Sequence, residues 1–126
     1  MLTTRTEHLI DLALEEDAGL GDITSRAIFP ARHRSRAIID AKQDLVLCGL
    51  EIAGRVFAKT DARLKTRLLK QDGDRVKTGA EVLRVEGPTG AILMAERTAL
   101  NFLQRLSGIA TQAARYAIDH GMTPAR

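Results

Sequence analysis

The sequence predicts an α+β domain: a small, mostly antiparallel sheet with helices on one face, followed by two consecutive C-terminal helices. Three observations carry this expectation. Strand-like runs separated by glycine turns occupy much of residues 35–86, and helical periodicity precedes and follows them. At 126 residues the chain is one domain, able to bury roughly two-thirds of its unfolded surface in a single core.

Taken in order, Thr4 and Glu7 have capping-box spacing, and Leu9, Ile10, Ala13 and Leu14 recur helically until Gly19 and Gly21 end the pattern. Gly21 to Ser25 reads as a turn, with Asp22 and the Thr24 and Ser25 hydroxyls satisfying backbone donors. Ser35–Ala41 and Leu45–Cys48 read as two half-buried strands that could form a hairpin, with Gly49 closing the second. Glu51–Lys59 carries Ile52, Val56 and Phe57 at helical spacing, and a strand with one wet face follows from Leu64 to Leu69. Asp72-Gly73-Asp74 supplies a tight turn, Val76 a short strand, and Gly79 leads into a strand over Glu81–Glu86. After Gly87-Pro88 the apolar face of Ile92, Ala95, Ala99, Phe102, Leu103 and Leu106 is helical. Ser107-Gly108 then breaks it, with Ser107 capping a second helix from Ile109 to about His120.

Composition narrows the function classes. Hydrophobic residues are 44% and charged residues 28% of the chain, ordinary globular values. Aromatic content is only 3%, without tryptophan, which removes the stacking platforms of single-strand nucleic-acid binders, so no nucleic-acid partner is expected. The net charge of +3 and pI near 9.4 permit small anionic substrates. No apolar segment reaches signal or transmembrane length, so no membrane association is expected. The lone Cys48 allows no intrachain disulfide and no CxxC zinc spacing; a cytoplasmic setting is the simplest reading, with Cys48 a buried structural thiol in an apolar run. His8, His33 and His120 share neither a helix face nor a metal-ligand spacing and are assigned no site. Arg32, His33, Arg34 and Arg36, with Arg105 and Arg115, read as surface or dimer-contact cations.

One constellation suits ligand chemistry. On a helix turning about 100° per residue, Arg97, Asn101 and Gln104 share a narrow polar strip opposite the apolar face. A guanidinium fork holds a planar carboxylate by two parallel hydrogen bonds, and neighbouring amides can both donate and accept. A solvated or interface face explains the same spacing.

The stretch Glu96-Arg97-Thr98-Ala99-Leu100-Asn101-Phe102-Leu103-Gln104-Arg105-Leu106-Ser107-Gly108-Ile109-Ala110-Thr111 closely resembles the signature helix of quinolinate phosphoribosyltransferases, also called nicotinate-nucleotide pyrophosphorylases. Asp17, Gly21-Asp22-Ile23-Thr24-Ser25, and Asp72-Gly73-Asp74-Arg75-Val76 with Gly79 match the family too, and the resemblance runs from about Glu7 to the end. It implies that residues 1–108 form a substrate-contacting and dimerisation domain, and that 109–126 begin an α/β barrel whose remainder is missing from these residues. It further implies that Arg97 reaches into a neighbouring protomer's active site to bind a carboxylate of quinolinate.

The family joins the quinolinate ring nitrogen to the ribose C1 of phosphoribosyl pyrophosphate, releases pyrophosphate, and decarboxylates the product to nicotinate mononucleotide in NAD synthesis. Mg2+ holds the pyrophosphate in the complete enzyme. Its ligands and most substrate-binding cations come from the barrel, beginning with an Asp-Thr-Arg-Lys segment not found here, so these 126 residues are expected to be inactive alone. Other readings remain: a non-catalytic dimerisation or ligand-binding domain using the apolar C-terminal helices, a biotinyl- or lipoyl-like carrier module, which Asp72 to Gly87 resembles locally, and a related family member acting on a different pyridine or molybdenum-linked ligand.

Overall fold

The computed structural model describes residues 2–30 and 32–121, with the side chains of residues 18–27 outside that description. Among the described residues, three helices and five strands follow one another in the order α1 (Thr4–Ile28), β1 (Arg34–Asp40), β2 (Leu45–Val46), α2 (Leu50–Thr60), β3 (Lys65–Leu68), β4 (Arg75–Val76), β5 (Glu81–Pro88) and α3 (Thr89–Asp119). The α+β class is as expected, and every strand pairing is antiparallel.

β5 is the centre of a three-stranded sheet ordered β1-β5-β3. Its Leu83 and Val85 are buried while Arg84 and Glu86 are exposed, so one face meets the helices and the other is open. Phe57, Val56 and Ala53 of α2, with Ile92, Ala95, Ala99 and Leu103 of α3, fill the space against Ile39, Leu83 and Val85; Ile10 of α1 closes the core. β2 and β4 form a separate two-stranded sheet beside the C-terminal half of α3.

Several local expectations give way. The predicted β1–β2 hairpin does not form. β1 pairs with β5 over Arg34↔Pro88 to Asp40↔Glu81, and Ala41 exchanges main-chain hydrogen bonds with Gly79 and Ala80 instead of turning back. The first helix does not stop at Gly19 or Gly21 but continues to Ile28; the side-chain roles expected of Asp22, Thr24 and Ser25 lie outside the described residues. Its N-terminal hydroxyl cap is Thr3, whose Oγ1 accepts from the Thr6 N–H at 3.1 Å, rather than Thr4. Glu7, expected to complete the cap, instead binds Arg55 at 2.9 Å and Lys59 at 2.8 Å, clamping α1 to α2.

The two consecutive C-terminal helices are one. α3 runs 31 residues without a break at Ser107-Gly108. Ser107 is 2% exposed and faces Cys48 rather than capping a new helix. The Asp72-Gly73-Asp74 turn forms as expected, with Gly73 at φ 95°, and it has a second role. Gly49 begins α2 without a side chain to cap it, and Asp72 Oδ1 accepts from the Leu50 N–H at 2.7 Å in its stead. β5 passes directly into α3 at Thr89, leaving no hairpin tip on which a carrier lysine could be presented.

Candidate functional site on helix α3

α3 is held at four levels by hydroxyl groups. At its start Thr89 Oγ1 lies 2.6 Å from both His33 Nδ1 and Ser35 Oγ. Thr98, 1% exposed, donates to Asp17 Oδ2 of α1 at 2.5 Å. Ser107 accepts from the Cys48 N–H and donates to the Cys48 carbonyl, both at 3.0 Å. Thr111 accepts from the Val46 N–H at 2.9 Å while donating to the Ser107 carbonyl at 2.7 Å. These bonds fix the rotation of a helix whose apolar face alone would tolerate small slips.

That rotation leaves Arg97, Asn101 and Gln104 exposed, on the strip expected from their spacing. Arg97 follows the apolar Ala95 and half-buried Glu96 and directly precedes the anchored Thr98, and among the described residues its side chain makes no hydrogen bond or ion pair. An exposed guanidinium fork of this kind suits an external planar acceptor. Gln104 also borders a cavity of about 620 Å³ between α3 and the β1–β2 connection, together with Glu96, Gln112 and Arg115; Arg97 and Asn101 are not in its lining.

The carboxylates on the far wall of that cavity already have partners. Asp40 takes the Lys42 ammonium at 2.7 Å, which holds its carboxyl below the usual range. Asp44 accepts the Thr78 N–H at 2.8 Å and hydroxyl at 3.1 Å, and the main-chain bond is the chief cause of its lowered pKa. Among the described residues no group of three or more His, Cys, Asp or Glu side chains could hold a metal ion.

The remaining residues singled out in the sequence are dispersed. Cys48 is half-buried rather than buried. His33 bonds Thr89, and His120 stacks on Tyr116 at 3.9 Å while Nδ1 meets the Tyr116 carbonyl oxygen at 2.9 Å. Arg36 pairs with Glu86 at 3.3 Å, and Arg32, Arg34, Arg105 and Arg115 are exposed. No described helix is long and apolar enough to cross a membrane. Sequence reasoning missed Asp17 and Thr98 as the pair beside Arg97; the available signal was a hydroxyl between Arg97 and the buried Ala99.

The profile described as quinolinate phosphoribosyl transferase, N-terminal domain, matches residues 22–107. The chain is 45% identical over 104 residues to quinolinate phosphoribosyltransferase (decarboxylating) 1 of Nicotiana glauca, covering 82% of this chain and 30% of that relative. It is 36% identical over 115 residues to a probable carboxylating nicotinate-nucleotide pyrophosphorylase of Methanocaldococcus jannaschii, covering 91% and 39%. The solved structure of NadC from Streptococcus pyogenes superposes with a TM-score of 0.86 at 37% identity, over 93% of this chain and 42% of that one. The chain thus spans less than half the length of each of these relatives.

Proposed function

This chain belongs to the quinolinate phosphoribosyl transferase family, matching its N-terminal domain, and on that premise we propose that it is the substrate-contacting and dimerisation part of an enzyme that makes nicotinate mononucleotide from quinolinate and phosphoribosyl pyrophosphate. Residues 109–126 lead toward the catalytic barrel, which supplies the magnesium ligands and the cations for pyrophosphate. The enzyme works as a cytoplasmic homodimer. These 126 residues are inactive alone, because one arginine cannot organise two polyanionic substrates.

The observation that carries this reading is the state of Arg97: exposed, without an ion pair among the described residues, and set on a helix anchored by the neighbouring Thr98. A guanidinium kept free on a rigid support binds a carboxylate with little loss of its own freedom. From a second protomer it orients the pyridine ring so that the ring nitrogen faces the ribose C1, and it neutralises one carboxylate while the barrel handles the leaving group. Dimerisation is supported by the apolar residues exposed on the same helix, Leu93 at 45%, Ile109 at 65% and Tyr116 at 58%.

The test is steady-state kinetics in a chain carrying both domains. Arg97→Ala should raise the quinolinate KM about 10- to 100-fold, the range of a lost charge-assisted bond of about 1.5–3 kcal/mol. Arg97→Lys should recover little, since an ammonium cannot reproduce the fork. Protomers carrying Arg97→Ala, mixed with protomers disabled in their own barrel, should regain activity by forming one intact shared site. Unchanged quinolinate kinetics in Arg97→Ala would remove the assignment.

A further inference from the structure

We propose that the open face of the β1-β5-β3 sheet binds a di- or triphosphate anion, a site on the opposite side of the sheet from α2 and α3. The alternation that sends Ala37, Ile39, Leu83 and Val85 toward the helices sends Arg36, Ile38, Arg84 and Glu86 outward, and the pairing register aligns Lys65 with Glu86 and Arg67 with Arg84. These six outward residues of three strands line one shallow concavity of about 380 Å³. Four cations share it with a single carboxylate.

The arrangement is electrostatically incomplete by itself. Like charges directly opposite one another weaken a sheet, and Arg67 and Arg84 are such a pair. Glu81 engages Arg84 at 2.9 Å and Glu86 engages Arg36 at 3.3 Å. The side chains of Lys65 and Arg67 have no ion pair or hydrogen bond among the described residues. Cations on edge strands also guard a sheet against unwanted pairing, which accounts for Arg36 on β1 and for Lys65 and Arg67 on β3. It does not account for Arg84, which stands on the central strand facing a second arginine.

Spacing selects the ligand class. Lys65 and Arg67 are two residues apart along a strand, about 6.8 Å, a reach that two linked phosphates span and one does not. The arginine forks give bidentate contacts to phosphoryl oxygens, and the lysine adds a mobile point charge. Ile38, 54% exposed beside Arg84, offers an apolar contact that an organic ester could use and an inorganic anion could not.

Calorimetric titration of this chain at low ionic strength, with phosphate, pyrophosphate, tripolyphosphate and ATP, tests the proposal. Pyrophosphate and tripolyphosphate should bind at least about fivefold more tightly than phosphate. Arg67→Gln and Lys65→Gln, each checked for unchanged circular dichroism and melting, should weaken them about tenfold or more, while Arg97→Gln leaves them unchanged and so separates this site from the carboxylate contact. If ATP binds more tightly than tripolyphosphate, and Ile38→Ser removes the difference, the ligand is an organic ester; equal binding marks an inorganic one. The proposal falls if pyrophosphate binds no better than phosphate, or if its binding survives Arg67→Gln. It also falls if only a polyglutamate peptide binds, which would make the face a protein-docking surface.

Discussion

The Ser107 hydroxyl serves both main-chain polar groups of Cys48, accepting from the N–H and donating to the carbonyl, each at 3.0 Å. Ser107 is 2% exposed, so water cannot readily replace it. Ser107→Ala should therefore destabilise the chain by about 1–3 kcal/mol, the penalty of leaving buried polar groups unpaired. Urea unfolding measures this as a lower midpoint at unchanged slope, and a loss under about 0.5 kcal/mol would mean the bridge is not formed.

Gly108 separates a continuous helix from a broken one. A Cβ at this position inside α3 would meet no atom of another element within 4 Å, so Gly108→Ala should stabilise by about 0.5–1 kcal/mol. Gly49→Ala should do the reverse. Its φ of 90° already disfavours an L-residue, and the added Cβ would meet Leu106 Cδ1 at 2.9 Å. Thermal melting of both variants decides the matter: a fall in melting temperature for Gly108→Ala would argue for the two-helix arrangement.

The same glycine and serine explain what the sequence made legible and what it did not. The periods of β1, α2, β5 and the start of α3 are set by neighbours a few residues away, and their strands and helices appear where the apolar pattern puts them. Turn chemistry at Ser107-Gly108 misleads because tertiary packing overrides weak local propensity, and at Gly19 and Gly21 the helix likewise continues. The partner of β1 could not be read locally either, since β5 lies more than 40 residues further on while Lys42 to Asp44 looks like a hairpin turn. For the site, the strip of Arg97, Asn101 and Gln104 follows from helical spacing, whereas the contact of Thr98 with Asp17 spans 81 residues and leaves no local trace.

The clamp between α1 and α2 should set the pH range of full stability. Lys59, hydrogen-bonded to Glu7, and then Arg55 hold the Glu7 carboxyl below its ordinary 4.5. A lowered carboxylate pKa adds stability that is complete above the unfolded value and is lost as pH falls through the folded one. Lys59 is raised above its ordinary 10.5 by Glu7 and then Asp11, so its contribution is complete below that value and fades as pH rises through the folded pKa. The melting-temperature gap between the native chain and Glu7→Gln should be flat near neutrality and shrink toward about pH 3 and above about pH 11. A gap that stays constant from neutrality to about pH 3 would show that the carboxylate makes no net contribution.

Arg97 and Thr98 are adjacent in sequence and should behave oppositely on substitution. The Arg97 side chain is exposed and has no hydrogen bond or ion pair among the described residues, so Arg97→Ala should leave stability within about 0.5 kcal/mol, helped by the helix propensity of alanine. Thr98 is 1% exposed and donates to Asp17, so Thr98→Val keeps the volume but strands the carboxylate oxygen and should cost about 1–3 kcal/mol. Thr98→Ser retains the hydroxyl and should recover most of that loss, leaving only the missing methyl group. In a two-domain chain the prediction sharpens: Arg97→Ala should damage quinolinate binding without changing the melting temperature, and Thr98→Val should lower the melting temperature first. A folding defect in Arg97→Ala as large as that in Thr98→Val would mean the guanidinium supports its own domain, and a contact across to a second protomer would lose its physical basis.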